Sequence, residues 1–187
     1  MIVGIIGAGT MGSGIAQAFA QCEGFEVRLC DITAELALRG KGRIENQLMK
    51  RVQKGKMDAA AAEAVLNRIT TGTKDICSDC DLIVEAAFES MDVKKQTFEE
   101  LQAIAKPTCI FASNTSSLSI TEIGAKLDRP LIGMHFFNPA PVMKLNSTAL
   151  LISPINKLFL IIFSIPTFQF IFFVIFSVIV LGCSNNS

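Results

Sequence analysis

The feature that most constrains the fold is a glycine-rich turn, GAGTMG, which lies between an apolar run and a helical pattern. The run IVGIIG at 2–7 is short and rich in β-branched residues, as expected for a buried parallel strand. From 10 to 24, apolar residues recur at helical spacing. A strand, a glycine-rich turn and a helix in this order predict a βα unit whose turn approaches a ligand through its backbone.

The turn has the G-x-G-x-x-G spacing, formed by Gly7, Gly9 and Gly12. Gly7 permits the tight turn, Gly9 lets the backbone approach a pyrophosphate, and Gly12 allows the helix to pack closely on the strand. We therefore expect this loop, including Thr10 and Met11, to bind NAD at the helix N-terminus. A flavin nucleotide in the same crevice and a turn without a ligand are the alternatives.

An acidic residue in register with this turn favours NAD. Asp31 follows the second predicted strand, 25–30, and stands nineteen residues after Gly12. A carboxylate at this point accepts hydrogen bonds from ribose hydroxyls and repels a 2′-phosphate, so the pattern favours NAD over NADP.

The rest of the chain alternates between strand-like and helix-like patterns. Apolar runs predict further strands over 81–88, 108–113 and 130–137. Amphipathic spacing predicts helices over 33–54, 58–69 and 92–106. The alternation predicts an α/β fold of the Rossmann type, with a doubly wound parallel sheet. The helical pair at about 33–70 is longer than an ordinary crossover and is interpreted as an excursion between the second and third strands.

Two residues near the ends of predicted strands are candidates for chemistry. His135, the single histidine, falls at the C-terminal end of the predicted strand 130–137, and its pKa range suits a general base. Ser116 follows the strand 108–113, where its hydroxyl can donate to a reacting group. A packed core histidine and a turn serine are the alternatives.

Composition excludes several other classes of function. The chain carries 17 basic and 17 acidic residues, and a nucleic-acid-binding protein needs a basic excess. The N-terminus lacks the basic segment of a signal peptide, so we expect the six cysteines to be reduced thiols in a cytosol-like compartment. The C-x-x-C pair at 77–80 lacks the further ligands of a metal site, so we expect a polar turn there and no metal.

Four segments together resemble the NAD-dependent 3-hydroxyacyl-CoA dehydrogenase family, in particular its bacterial 3-hydroxybutyryl-CoA branch. They are GAGTMGSGIAQAFA, DLIVEAAFE, FASNTSSLSITEI and IGMHFFNPAPVMKL, and the resemblance covers 1–145. It implies a cytoplasmic enzyme of fatty-acid or butanoate metabolism. The implied reaction is hydride exchange between C3 of a 3-hydroxyacyl-CoA, or of acetoacetyl-CoA in reverse, and NAD.

The resemblance also implies roles for individual residues. His135 is the base that takes the hydroxyl proton, and Ser116 contacts both the substrate and the nicotinamide. Glu89, Lys94 and Asn138 lie on the cofactor side.

Further residues match the positions where the family meets CoA. Lys54 and Gln47 fall on the long helical excursion, and Lys94 is a further candidate. Lysine suits this role because CoA carries several phosphate charges.

The chain departs from the family after Leu145. Ser147 stands where the family has a glutamate that pairs with the histidine, and residues 146–157 form a junction. The family's helical domain, which supplies the homodimer interface and much of the acyl pocket, is not recognisable. We therefore expect a poor enzyme; the alternative is a non-catalytic NAD-binding, membrane-tethered or non-functional fragment.

The last part of the chain is an apolar tail. Residues 158–183 are uncharged, and their length suits a transmembrane helix, although Pro166 interrupts them. A membrane anchor is one interpretation, and a frameshift or read-through product is the other. We favour the second because the change of character falls inside a fold element.

Overall fold

The computed structural model describes residues 1–136, 140–141, 148–153 and 159–163. Eight strands form one sheet, and they are β1 Ile2–Ile6, β2 Glu26–Cys30, β3 Ile69–Gly72, β4 Leu82–Glu85, β5 Ile110–Ser113, β6 Leu131–Gly133, β7 Thr148–Ser153 and β8 Phe159–Phe163. The helices are α1 Thr10–Ala20, α2 Ala34–Gln53, α3 Ala59–Asn67, α4 Met91–Ile104 and α5 Ile120–Ile123, with a 3-10 helix at Lys74–Cys77.

The sheet confirms the predicted doubly wound α/β fold. Its strand order is β3-β2-β1-β4-β5-β6-β7-β8, and the first six strands pair in parallel. The chain reverses its direction of growth between β1 and β4, which are neighbours in the sheet. In open sheets of this kind, ligands bind outside the carboxyl ends of the strands at this switch point. The fold therefore predicts a ligand site at the carboxyl ends of the parallel strands.

Helices cover both faces of the parallel strands, which explains why the strands are continuous apolar runs. On one face, Ile15 and Phe19 of α1 and Ile44 and Leu48 of α2 join a core with the sheet. On the other face, residues of α4, α5 and the 3-10 helix form a second core. Buried layers on both sides give the carboxyl edge a rigid support.

Several predicted boundaries differ from the structure, and one of them is the strand predicted over 130–137, of which β6 covers only Leu131–Gly133. Residues 69–72 form the edge strand β3, so the helical pair is the crossover from β2 to β3 and the excursion returns to the sheet. This strand, ITTG, is too short and too polar to stand out as an apolar run. β4 ends at Glu85 instead of residue 88, because the Ala87 N–H turns back to donate to the Glu85 carboxylate.

The C-x-x-C pair is not the polar turn that we expected. Cys77 and Cys80 are fully buried and belong to the second core, together with Cys30 and Cys109. The sulfur atoms of Cys30 and Cys77 lie 3.4 Å apart. Burial raises the pKa of the Cys109 thiol to about 12. Hydrogen bonds from neighbouring thiols, together with burial, raise the pKa of Cys77 and Cys80 as well. Cys77, Cys80 and Cys109 therefore pack as neutral, apolar groups.

Beyond the parallel strands, β7 and β8 extend the sheet in antiparallel pairing. β8 lies inside the predicted tail 158–183, so part of that tail is a strand. Within the described ranges, no helix has the length and apolar character needed to cross a bilayer. The predicted residues Asn138 and Ser147, and the tail after 163, lie outside the described residues.

Candidate functional site

In the turn between β1 and α1, the fold leaves no room for a side chain at two glycines, whereas the space beside a third glycine is open. Gly7 has a positive φ of 98°, and a Cβ there would lie 2.7 Å from the Ala86 carbonyl oxygen. A Cβ on Gly12 would lie 1.7 Å from the Gly7 carbonyl oxygen. A Cβ on Gly9 would meet no atom within 4 Å. The exposed backbone at Gly9 is therefore accessible to a ligand.

The N-terminus of α1 suits an anion. Gly9 is the N-cap residue, and no side chain caps the helix there. The N–H groups of the first helical turn have no partner within a helix, so they can donate to a phosphate, and the helix dipole adds a favourable potential. Thr10 is exposed and Met11 is half-buried beside this turn. The structure thus brings all the predicted loop residues together at one helix end.

Asp31 lies next to the same turn. One carboxylate oxygen accepts from the Ala8 N–H at 2.7 Å, and the other accepts from the Ile32 N–H at 2.8 Å. A carboxylate has about four acceptor sites, so these two bonds leave capacity for ribose hydroxyls. Arg43 of α2 fixes the turn from the opposite side by donating to the Ala8 carbonyl at 2.8 Å. We call Asp31 and residues 7–12 the glycine-loop side.

The neighbouring strands carry a buried ionic network. Glu85, at the end of β4, is fully buried and accepts from the Lys94 ammonium at 2.8 and 2.9 Å. Lys94 lies in the first turn of α4 and is 1% exposed. The Ser113 hydroxyl, at the end of β5, also donates to Glu85, at 2.6 Å. Because buried charges are costly unless they are paired and hydrogen-bonded, this arrangement is a specific one.

Glu89 extends the network towards solvent. Its carboxylate lies 3.1 Å from the Lys94 ammonium and accepts hydrogen bonds from the hydroxyls of Thr115 and Ser117. Partial burial alone would raise the pKa of Glu89, but the bonds from Thr115, Lys94 and Ser117 outweigh it and lower the pKa below its ordinary value. We call Glu85, Glu89, Lys94, Ser113 and Thr115 the buried-charge side.

The two candidate catalytic residues follow adjacent strands at this edge. Ser116 is exposed, between Thr115 and Ser117 in the loop after β5. His135 is half-buried and follows β6 by two residues, and its Nδ1 lies 3.4 Å from the Asn114 carbonyl oxygen. The Asn114 side-chain oxygen accepts from the Phe136 N–H at 2.7 Å, which ties the two loops together.

Two of the three residues predicted to meet CoA lie on α2, whereas the third, Lys94, is buried on α4 beside Glu85. Gln47 and Lys54 are both exposed, and Lys54 is the C-cap residue of the helix. Arg43 and Lys50 fall on the same helical face, since the spacing from 43 to 54 is four, three and four residues. These four side chains form a polar, mostly basic stripe that begins beside the glycine loop.

Glu85 and Ser113 were not predicted as site residues from the sequence. A usable signal was present, because Glu85 is an acidic residue inside the apolar run DLIVEAAF. A charge in a strand that is buried on both faces needs a partner, and the nearest basic residues follow on the next helix.

The fold and the site together define a dinucleotide-binding α/β domain, and comparisons with known proteins identify its family. Residues 2–146 match the family model described as 3-hydroxyacyl-CoA dehydrogenase, NAD binding domain. The chain belongs to this family, whose members are NAD-dependent oxidoreductases acting on CH–OH groups.

Individual relatives agree with the family match. The chain is 50% identical over 149 residues to a probable 3-hydroxybutyryl-CoA dehydrogenase of Deinococcus radiodurans, covering 78% of this chain and 52% of that protein. The crystal structure of (S)-3-hydroxybutyryl-CoA dehydrogenase PaaH1 from Ralstonia eutropha matches with a TM-score of 0.72 at 41% identity. That match covers 76% of this chain and 51% of that chain. This chain therefore spans about half the length of the curated 3-hydroxybutyryl-CoA dehydrogenases that it matches.

Proposed function

We propose that this chain is the NAD(H)-binding and base-carrying half of a 3-hydroxyacyl-CoA dehydrogenase. Its substrate pair is 3-hydroxybutyryl-CoA and acetoacetyl-CoA, in cytoplasmic fatty-acid or butanoate metabolism. One observation supports this most directly. An open glycine turn, an exposed serine and a histidine follow strands of the same sheet at one edge.

The described residues fit NAD. The uncapped α1 N-terminus and the open backbone at Gly9 suit the pyrophosphate, and Asp31 suits the adenosine ribose. Glu89 and Lys94, with Asn138 as a further candidate, suit the nicotinamide half. When bound, the nicotinamide ring supplies a hydride acceptor for the substrate C3–H.

His135 acts as the general base. A carbonyl oxygen can only accept, so the contact between Nδ1 and Asn114 assigns the ring proton to Nδ1. Nε2 then carries the lone pair that takes the proton of the 3-hydroxyl. The Ser116 hydroxyl donates to the same substrate oxygen and orients it.

The basic stripe on α2 suits the phosphates of CoA. Lys50, Lys54 and Arg43 supply positive charge along about 16 Å of helix, the rise of eleven residues. Gln47 supplies a neutral donor between them. An extended, phosphate-bearing ligand matches such a row of cations.

A second candidate is a non-catalytic NAD-binding protein, tethered to a membrane through 158–183 or free of it. It is favoured by Ser147, which replaces the glutamate expected beside the histidine. On the first proposal we expect the chain to turn over slowly, because Ser147 leaves the base without the carboxylate that would orient it.

The test follows NADH consumption with acetoacetyl-CoA. The samples are the chain, a chimera continued after Leu145 with the C-terminal half of the Deinococcus relative, and the His135→Ala variant of that chimera. We expect turnover by the chimera and a loss of about 10²–10⁴-fold in the variant. The control is Thr97→Ala, because Thr97 is half-buried on α4 and its hydroxyl donates only to the Val93 carbonyl of the same helix, so this change should leave turnover unchanged. NADH binding without turnover in the chimera would favour the second candidate.

A further inference from the structure

Glu85 is a fully buried carboxylate, and the groups that donate hydrogen bonds to it lie at one edge of the sheet. Its two oxygens accept the Lys94 ammonium, the Ala87 N–H at 2.7 Å and the Ser113 hydroxyl. Its main-chain carbonyl accepts the Asn114 N–H at 2.7 Å. One residue of β4 therefore holds α4, the turn after β4 and the loop after β5.

The network continues from Glu85 to the two sides of Ser116. Lys94 connects Glu85 to Glu89, and Glu89 accepts from Thr115 and Ser117. The Thr115 hydroxyl oxygen in turn accepts the Leu118 N–H at 3.0 Å. The loop that carries Ser116 is thus attached to a buried charge through both of its neighbours.

Asn114 links the same network to the histidine. Its N–H donates to the Glu85 carbonyl, while its own carbonyl contacts His135 and its side chain accepts from Phe136. A shift of Glu85 would therefore reach both candidate catalytic residues.

We propose that Glu85 is a positioning residue, which sets Lys94, Glu89 and the Ser116 loop for the nicotinamide half of the cofactor. This inference rests on the proposed function, because it assumes that NAD(H) binds across the edge. Glu85 touches neither cofactor nor substrate and acts through Lys94. The carboxylates of Glu85 and Glu89 around the Lys94 ammonium give this group a net charge of about one negative unit. The substitution Glu85→Gln removes that net charge.

The predicted consequence is selective. In the Glu85→Gln variant, the Lys94 ammonium keeps a single carboxylate partner, Glu89, and moves towards it, while one amide group faces the Ser113 hydroxyl. The glycine-loop side shares no hydrogen bond with Glu85 in the described residues and stays as it is. NADH binding should weaken, whereas binding of ADP, which lacks the nicotinamide half, should not.

The experiment measures dissociation constants of NADH and ADP by calorimetry for the full chain and for Glu85→Gln. We expect the NADH constant to rise about tenfold, about 1.4 kcal/mol, and the ADP constant to change less than about twofold. Val84→Ala is the matched control, since it opens a cavity at the neighbouring buried position without touching the network. Both constants should stay unchanged in that variant.

Ser113→Ala is a milder second variant if Glu85→Gln does not fold. It removes the bond to Glu85 and the longer bond that the hydroxyl accepts from the Thr115 N–H, and it keeps every charge. NADH binding should therefore weaken about threefold, again without an effect on ADP. Equal weakening of NADH and ADP, or no weakening of NADH, would overturn the positioning role. Absence of NADH binding by the unchanged chain would instead refute the proposed function, and this inference with it.

Discussion

The glycine-loop side and the buried-charge side lie at the same edge of the sheet but are built differently. The first consists of backbone groups from one continuous turn, with Asp31 as its only charge. The second consists of side chains from β4, α4, β5 and the loops that follow β4 and β5. Glu85 and Lys94 within it are almost fully buried. A site made from backbone tolerates few changes of shape, whereas a site made from buried charges tolerates few changes of charge.

The largest effect is expected on the glycine-loop side, from a substitution that changes its shape and leaves every charge in place. In the Gly12→Ala variant the new Cβ would lie 1.7 Å from the Gly7 carbonyl oxygen, so α1 must move off β1. We expect NADH binding to fall by more than about 100-fold, about 2.7 kcal/mol, together with a large loss of thermal stability. Calorimetry and thermal unfolding measure the two effects.

A helical glycine provides the control. Gly42 lies inside α2, and a Cβ there would meet no atom within 4 Å. Gly42→Ala should stabilise the chain by about 0.5–1 kcal/mol and leave NADH binding unchanged. If Gly12→Ala behaved like Gly42→Ala, close packing of the glycine turn would not be what defines this side.

The smallest effect is expected on the buried-charge side, from a substitution that removes one carboxylate charge. The pKa of Glu89 is lowered from its ordinary value of 4.5 in the folded chain. A carboxyl with a lowered pKa stabilises the fold above its ordinary pKa and loses that contribution as the pH falls through the folded value. Glu89→Gln should therefore lower the melting temperature slightly at pH 7 and by less at about pH 3.5, which lies below the ordinary pKa.

Glu63→Gln is the matched control for this titration. Glu63 is an exposed acidic residue on α3, so its replacement should leave the melting temperature nearly unchanged at both pH values. A stability difference for Glu89→Gln that grew as the pH fell would contradict the hydrogen-bonded carboxylate described for this side.

The same contrast explains how much the sequence predicted. Gly7, Gly9, Gly12 and Asp31 were predicted together because their meaning depends on local order along the chain. Glu85 and Ser113 are far apart in sequence, and they become neighbours only because β4 pairs with β5. Lys94 and Glu89 were expected on the cofactor side from the family resemblance, but the carboxylate that holds Lys94 was not.

Strand boundaries failed for a related reason. β3 is recognisable by its pairing with β2, since ITTG has no strong pattern of its own. The end of β4 is set by the Ala87 N–H, which leaves the ladder to reach the Glu85 side chain. In both places, contacts across the fold outweigh local preference.

We propose that this edge of the sheet binds NAD(H) and that Asp31 selects NAD(H) over NADP(H). The most direct measurement compares the dissociation constants of NADH and NADPH for the full chain and for Asp31→Ala. We expect the chain to bind NADH at least about tenfold more tightly than NADPH, about 1.4 kcal/mol, because the carboxylate repels a 2′-phosphate. Asp31→Ala should narrow this ratio of the two dissociation constants. Equal affinity of the unchanged chain for the two cofactors would contradict the account.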